Sequence, residues 1–206
     1  MAVLAFVKNV LSIDLQNCVP FKIVGVETKE ITHEFVVDGI RFTLGGIIDR
    51  LQEEGQGIYR VVDYKTGGIK KNSNGTGSSK VSFPDISILF EGDNPDRERY
   101  MPYALQVMLY AYLCTVEKGK KTIPSLLYVR YKDGLKNLFM GDGKEKDEIS
   151  MISPDLCEAI ERNLTELLRG MFDLNTPFVQ TSNANNCEYC PYIEICKGKK
   201  DSDKKW

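Results

Sequence analysis

The sequence has one histidine, one tryptophan and no excess of basic charge. Each shortage closes off a class of function. With His33 as the only imidazole, any mechanism or metal site that needs two is excluded. The 27 basic side chains stand against 29 acidic ones, a formal net charge of −2, so the chain lacks the basic balance by which many nucleic-acid binders announce themselves. No apolar run reaches the roughly 18 residues that span a bilayer, and no membrane association is expected. Residues 1–10 carry neither a basic n-region nor a small-residue cleavage site, so a reducing cytoplasm is the expected compartment. Six cysteines are too few for a disulfide scaffold. Three of them, Cys187, Cys190 and Cys196, cluster near the C-terminus and read as thiolates before disulfides. No phosphate-loop pattern and no internal repeat occurs.

What is present is the composition of a globular domain, 42% hydrophobic and 27% charged over 206 residues. Val3, Phe6, Val7, Val10, Leu11 and Ile13 predict an amphipathic helix over 2–16. From 21 to 66 the texture turns β-branched and aromatic. A strand or bent strand pair is expected over 21–37, a second strand over 40–51 after the Asp38-Gly39 turn, and a third over 58–66. Three strands joined by tight turns make an antiparallel meander. Residues 67–95 read as a mobile loop insertion with a short element near 86–90. A helix follows from 96 to about 118, then a buried strand over 124–131 and a polar hairpin or loop over 136–152. A last helix starts at Ser153 as N-cap with Pro154 in its first turn. The expected fold class is α/β, one mixed sheet flanked by helices, with 1–206 a single domain and 183–206 a cysteine-containing tail.

The chemistry concentrates in Gly46-Ile47-Ile48-Asp49-Arg50 and Val62-Asp63-Tyr64-Lys65-Thr66-Gly67. Asp63 and Lys65 are two apart in a strand and project from one face, while Tyr64 turns to the other. Asp49 sits on the neighbouring strand, where the 53–57 turn can bring it alongside Asp63. Two carboxylates and an ammonium on one patch of an apolar sheet demand compensation, and a hard divalent cation supplies it. A lone D-x-K pair equally fits a surface salt bridge on an edge strand. Gln106 and Tyr110 lie at i and i+4, on one helix face.

These segments resemble the PD-(D/E)XK nuclease superfamily, and within it the nuclease domains of the RecB and AddB type, from about Phe21 to Cys196. Residues 46–50 are similar to its G-x-x-D-R, residues 62–67 to its h-D-Y-K-T-G, and residues 106–110 to its helical Q-x-x-x-Y. The resemblance implies a restriction-endonuclease-like fold and hydrolysis of DNA phosphodiesters with Mg²⁺ or Mn²⁺, exonuclease-like. It also implies work in DNA recombination or repair beside a helicase domain or subunit. Carried over residue by residue, it assigns the metal to Asp49, Asp63 and the backbone carbonyl of Tyr64, assistance of the nucleophile to Lys65, and further site positions to Gln106 and Tyr110. It further suggests a [4Fe–4S] cluster on Cys187, Cys190 and Cys196, with Cys18 the upstream candidate for a fourth ligand. Three cysteines alone equally suit zinc with an outside ligand, or an incomplete site. Many relatives place a metal-binding His or Glu on a helix before the first strand, whereas this helix offers Asp14. Together these departures lead us to expect a fragment of a longer protein. His33 reads as a partly buried strand residue.

Local charge departs from the average. Residues 65–80 hold Lys65, Lys70, Lys71 and Lys80 with no acidic residue, and the tail is lysine-rich. The loop lysines are expected to meet a DNA backbone, though an ordinary solvated loop has the same composition. Tyr59, Tyr64, Tyr100 and Tyr103 could stack unpaired bases, although core packing explains most of them. Should the metal shell be incomplete, the same fold would serve as a weak or inactive module that binds DNA or protein.

Overall fold

The structure, a computed structural model, describes residues 2–16, 20–68, 80–92, 100–141, 145–177, 179–181, 187 and 190–196. Helix α1 (Ala2–Gln16) leads into strand β1 (Lys22–Thr28). Strands β2 (Thr32–Val37) and β3 (Ile40–Gly45) form a hairpin, followed by β4 (Ile48–Glu53) and β5 (Ile58–Lys65). Strand β6 (Val81–Phe83) and a 3-10 turn over Ile86–Leu89 precede helix α2 (Met101–Lys118). Strands β7 (Lys121–Tyr128), β8 (Leu135–Met140) and β9 (Asp147–Glu148), helix α3 (Pro154–Phe172) and the one-turn α4 (Ile193–Cys196) complete the order.

The main sheet runs β1-β4-β5-β7-β8-β6, with β9 added to β8. Strands β1, β4 and β5 are the antiparallel meander, and β5 and β7 run parallel because α2 carries the chain from one end of the sheet to the other. The sheet is therefore mixed, as expected. One expectation fails in detail: the strand predicted over 40–51 is two strands. Gly46 and Ile47 interrupt it, so β3 pairs only with β2 in a separate two-stranded ribbon, and β4 alone enters the main sheet. Strand-forming residues stand on both sides of Gly45-Gly46, which is why the sequence alone reads one element. Asp38 and Gly39 both take positive φ, 50° and 83°, the primed turn that suits the twist of the hairpin. Within the expected 67–95 connection, β6 pairs parallel with β8 at the sheet edge; residues 69–79 and 93–99 lie outside the described residues.

The two faces of the sheet bury different partners. On one side Phe6, Val10 and Ile13 of α1, at i, i+4 and i+7, pack on Val62, Leu127 and Val129. On the other lies the larger core, where Val107, Met108, Ala111 and Cys114 of α2 meet Leu51, Val61 and Leu126. Leu156, Ile160 and Leu164 form the buried stripe of α3. The Ser153 side chain accepts from Leu156 N at 3.2 Å, satisfying one open donor of that helix. Gly119 ends α2 in the left-handed region, φ 61°, as a helix C-terminus commonly requires. Two side-chain contacts join the hairpin to the helices, a hydrogen bond between His33 Nδ1 and Glu117 at 2.6 Å and an ion pair of Arg169 with Asp38 at 2.8 Å. His33 stacks on Phe35 with its edge partner Tyr112, so it is a strand residue engaged in packing.

Candidate active site

Strand alternation builds the site. Along β5, Val61, Asp63 and Lys65 share the face toward α2, and Val62 and Tyr64 face α1. The β4–β5 ladder extends from the Glu53–Tyr59 pair to the Arg50–Val62 pair. Asp49 therefore stands just past its last rung, and its Oδ2 accepts from Tyr64 N at 2.8 Å. A strand residue turns its N–H and C=O to the same side, so the Tyr64 carbonyl is also directed toward β4 and Asp49.

Asp63 is 2% exposed, and its Oδ2 lies 2.6 Å from Lys65 Nζ. That contact is an ion pair without the alignment of a hydrogen bond, and it leaves the oxygen with no properly directed donor. Burial raises the Asp63 pKa above its ordinary 3.8; the Lys65 ammonium pulls the other way and the Asp49 charge adds to the rise. Burial prevails, so Lys65 alone under-compensates this carboxylate. A stabilising surface salt bridge would have the opposite sign. Lys65 in turn donates to Gln106 Oε1 at 3.0 Å, and Gln106 Nε2 donates to the Tyr110 hydroxyl at 3.1 Å. The ring of Tyr103 lies 4.3 Å from Lys65 Nζ. Gly46 seats the far end of this chain. A Cβ there would fall 2.5 Å from Tyr110 Cε1 and 2.9 Å from its hydroxyl, so only glycine admits the ring.

The opposite face of the same strands is tied to α1. Arg50, 4% exposed, forms a two-pronged pair with Asp14 at 2.9 and 3.0 Å, and its guanidinium lies over the rings of Phe21 and Tyr64. Asp14 is therefore the partner of Arg50 on the side of the sheet away from Asp63. This role was not read from the sequence, although Arg50 beside Asp49 and Tyr64 beside Asp63 already alternate to a common face.

The structure thus brings together Asp49, Asp63, Lys65, Gln106 and Tyr110, which the sequence singled out, and sets the Tyr103 ring and Gly46 beside them. It does not bring Lys80 to them. Lys80 adjoins β6 at the sheet edge, its ammonium 4.5 Å from the Phe139 ring centre. Lys70, Lys71 and Cys18 lie outside the described residues. Cys187 and Cys190 share a turn, Cys190 N to Cys187 O at 3.2 Å, and Cys196 ends α4 exposed. Among the described residues no group of three or more His, Cys, Asp or Glu side chains is close enough to hold a metal ion. A hard cation needs no such group. Mg²⁺ takes one or two carboxylates and fills its remaining positions with water and phosphate oxygens. An all-oxygen donor set from Asp49 and Asp63, with a buried Asp63 oxygen that lacks an aligned donor, fits that requirement.

The family model of the PD-(D/E)XK nuclease superfamily matches residues 3–197. The chain belongs to the PD-(D/E)XK nuclease superfamily, and its mixed sheet with an antiparallel meander is consistent with a restriction-endonuclease-like fold. A solved structure described as "Crystal structure of SSO0001" is similar at 15% identity and a TM-score of 0.39, over 96% of this chain and 71% of that one. No curated protein matches the chain.

Proposed function

We propose that this domain is a divalent-metal-dependent DNA nuclease, with Asp49, Asp63 and the Tyr64 carbonyl as the metal ligands and Mg²⁺ or Mn²⁺ as the metal. The observation that carries the reading is the buried, under-compensated Asp63 joined through Lys65 to Gln106 and Tyr110, with Asp49 at the adjacent strand end. The bound cation would offset charge on the scissile phosphate and raise the hydroxide content of coordinated water at neutral pH. Lys65, fixed between Asp63 and Gln106, presents its ammonium to the attacking water or a non-bridging phosphate oxygen as negative charge develops there. The water oxygen bonds to phosphorus as its proton passes to solvent, the bond to one ester oxygen breaks, and that oxygen takes up a proton from solvent. Gln106 and Tyr110 act through Lys65 and are positioning residues.

The D-Y-K-T-G and Q-x-x-x-Y motifs support a RecB or AddB type within the superfamily. With it goes exonuclease-like action in recombination or repair, beside a helicase domain or subunit. The absence of any base-reading motif supports sequence-independent cutting.

The test is cleavage of single- and double-stranded DNA with Mg²⁺ or Mn²⁺ by wild type, Asp63→Ala and Lys65→Ala. Metal-dependent cutting that both substitutions abolish is expected. Cutting that persists in both would remove the assigned site. DNA binding with no metal affinity and no cutting would instead favour a non-catalytic module.

A further inference from the structure

Hollows on the described surface include two that adjoin the β2–β3 hairpin. The larger, about 370 Å³, lies between the tip of the β2–β3 hairpin and the end of α3. The exposed Asp38–Arg169 pair lines it, and the two charges satisfy each other. The smaller, about 290 Å³, lies between Leu44 and Gly45 of β3 and the face of α2 that carries Leu105 and Leu109, with Gln106 and Tyr110 among its lining residues. Gln106 is the acceptor of the Lys65 hydrogen bond, and Tyr110 is the ring that Gly46 admits. The groove therefore shares Gln106 and Tyr110 with the hydrogen-bond chain of the site.

A phosphodiester seated at Asp49, Asp63 and Lys65 carries a nucleoside on each side. No charged side chain lines the groove, so nothing in it recognises the phosphate or favours a water-filled channel. A base face is the apolar, flat part of a nucleotide, and leucine side chains on two walls present complementary surface to it. The volume falls just under the range that encloses drug-sized ligands, which suits one base rather than a stacked pair.

We propose that the groove walled by Leu44, Gly45, Leu105 and Leu109 is a nucleobase subsite, receiving the base of a nucleotide that flanks the cleaved phosphate. This rests on the nuclease reading above. A base within a duplex shows its faces only to its stacked neighbours, so the nucleotide enters unstacked and unpaired. Apolar contact alone does not read the base edges, so any of the four bases is accepted.

The experiment uses a single-stranded oligonucleotide with Mn²⁺, in which one abasic residue is moved along the strand and cutting is mapped at each phosphate. Loss of the base at one position relative to the cut is expected to slow cutting there by about tenfold, the scale of one base–side-chain stacking contact. Leu109→Gln is expected to slow cutting of the intact strand by a similar factor, with no further loss on the abasic strand. A flat abasic scan, losses that multiply, or cutting confined to paired duplex would overturn the subsite and leave the nuclease reading standing. So would a wild-type dimer that Leu109→Gln converts to a monomer, since the groove would then belong to a second copy. Wild-type cutting by Asp63→Asn would remove the nuclease reading and the subsite together.

Discussion

Gly46→Ala is the smallest perturbation that reaches the site from outside its charged groups. The added methyl would stand 2.5, 3.1 and 2.9 Å from Cε1, Cζ and the hydroxyl oxygen of Tyr110. No real Cβ tolerates the first of these, so the ring must swing away. Gly46 has no left-handed backbone requirement, so the cost arises from this collision alone. Overpacking of this kind costs about 1–3 kcal/mol, and displacement of the hydroxyl breaks its bond from Gln106. For a chain of this size the stability loss corresponds to a Tm lower by roughly 2–12 °C. Gln106 is then free to turn, and Lys65 loses the acceptor that orients it. A loss of activity of about tenfold or more is expected, since each 1.4 kcal/mol of lost transition-state stabilisation is tenfold in rate. The assay pairs a thermal melt with single-turnover DNA cleavage. The double variant with Tyr110→Leu is expected to recover most of the Tm, because the smaller side chain leaves room for the methyl, while cleavage stays impaired because the hydroxyl is gone. Wild-type stability and cleavage in Gly46→Ala, or a double variant no more stable than the single, would refute the reasoning.

Further outcomes follow from other contacts. Asp14→Ala strands the Arg50 guanidinium, 4% exposed, without its carboxylate and is expected to cost roughly 3 kcal/mol of stability, read by urea unfolding; Asp14→Asn is expected to cost less. Mg²⁺ or Mn²⁺ at about 100 times its Kd is expected to stabilise wild type by about 2.7 kcal/mol and Asp63→Asn by nearly nothing, measured as a metal-dependent Tm shift. Burial raises the pKa of Glu54, but hydrogen bonds from Arg60 and Gln52, with the guanidinium charges, outweigh it and hold the pKa below the usual 4.5. A depressed carboxylate contributes stability above its ordinary pKa and loses it as pH falls through the folded value. Glu54→Gln is therefore expected to flatten the acid limb of the stability–pH curve below about pH 4.5.

The site was more legible than the frame around it. Asp63 and Lys65 share a face by the two-residue period of a strand, and Gln106 and Tyr110 by the four-residue reach of a helix, while the family resemblance is what marked these pairs out as candidates. The break at Gly46 and Ile47 escaped because β-forming residues stand on both sides of Gly45-Gly46, in residues 40–44 and 47–48; the separate pairing of the hairpin divides β3 from β4. Strand β6 is three residues long and takes its place from its pairing with β8, a partner more than fifty residues away. The Asp14–Arg50 pair joins elements 36 residues apart, and neither residue's spacing points to the other. Gly46 was visible within G-x-x-D-R, but its reason, the Tyr110 ring, lies on a helix that no local pattern aligns with it.

Arg50 and Tyr64 hold α1 on the back of the same two strands whose neighbouring residues, Asp49 and Asp63, lie on the face toward α2. A slip of either strand by one residue would turn its carboxylate toward α1 and bring an anchoring residue to the front. A β4 or β5 misaligned by one residue would therefore lose its contacts with α1 together with the placement of its carboxylate. Insertions or deletions within those strands would be penalised twice. Length changes at the Asp38-Gly39 tip, outside the main sheet, would leave both alignments intact.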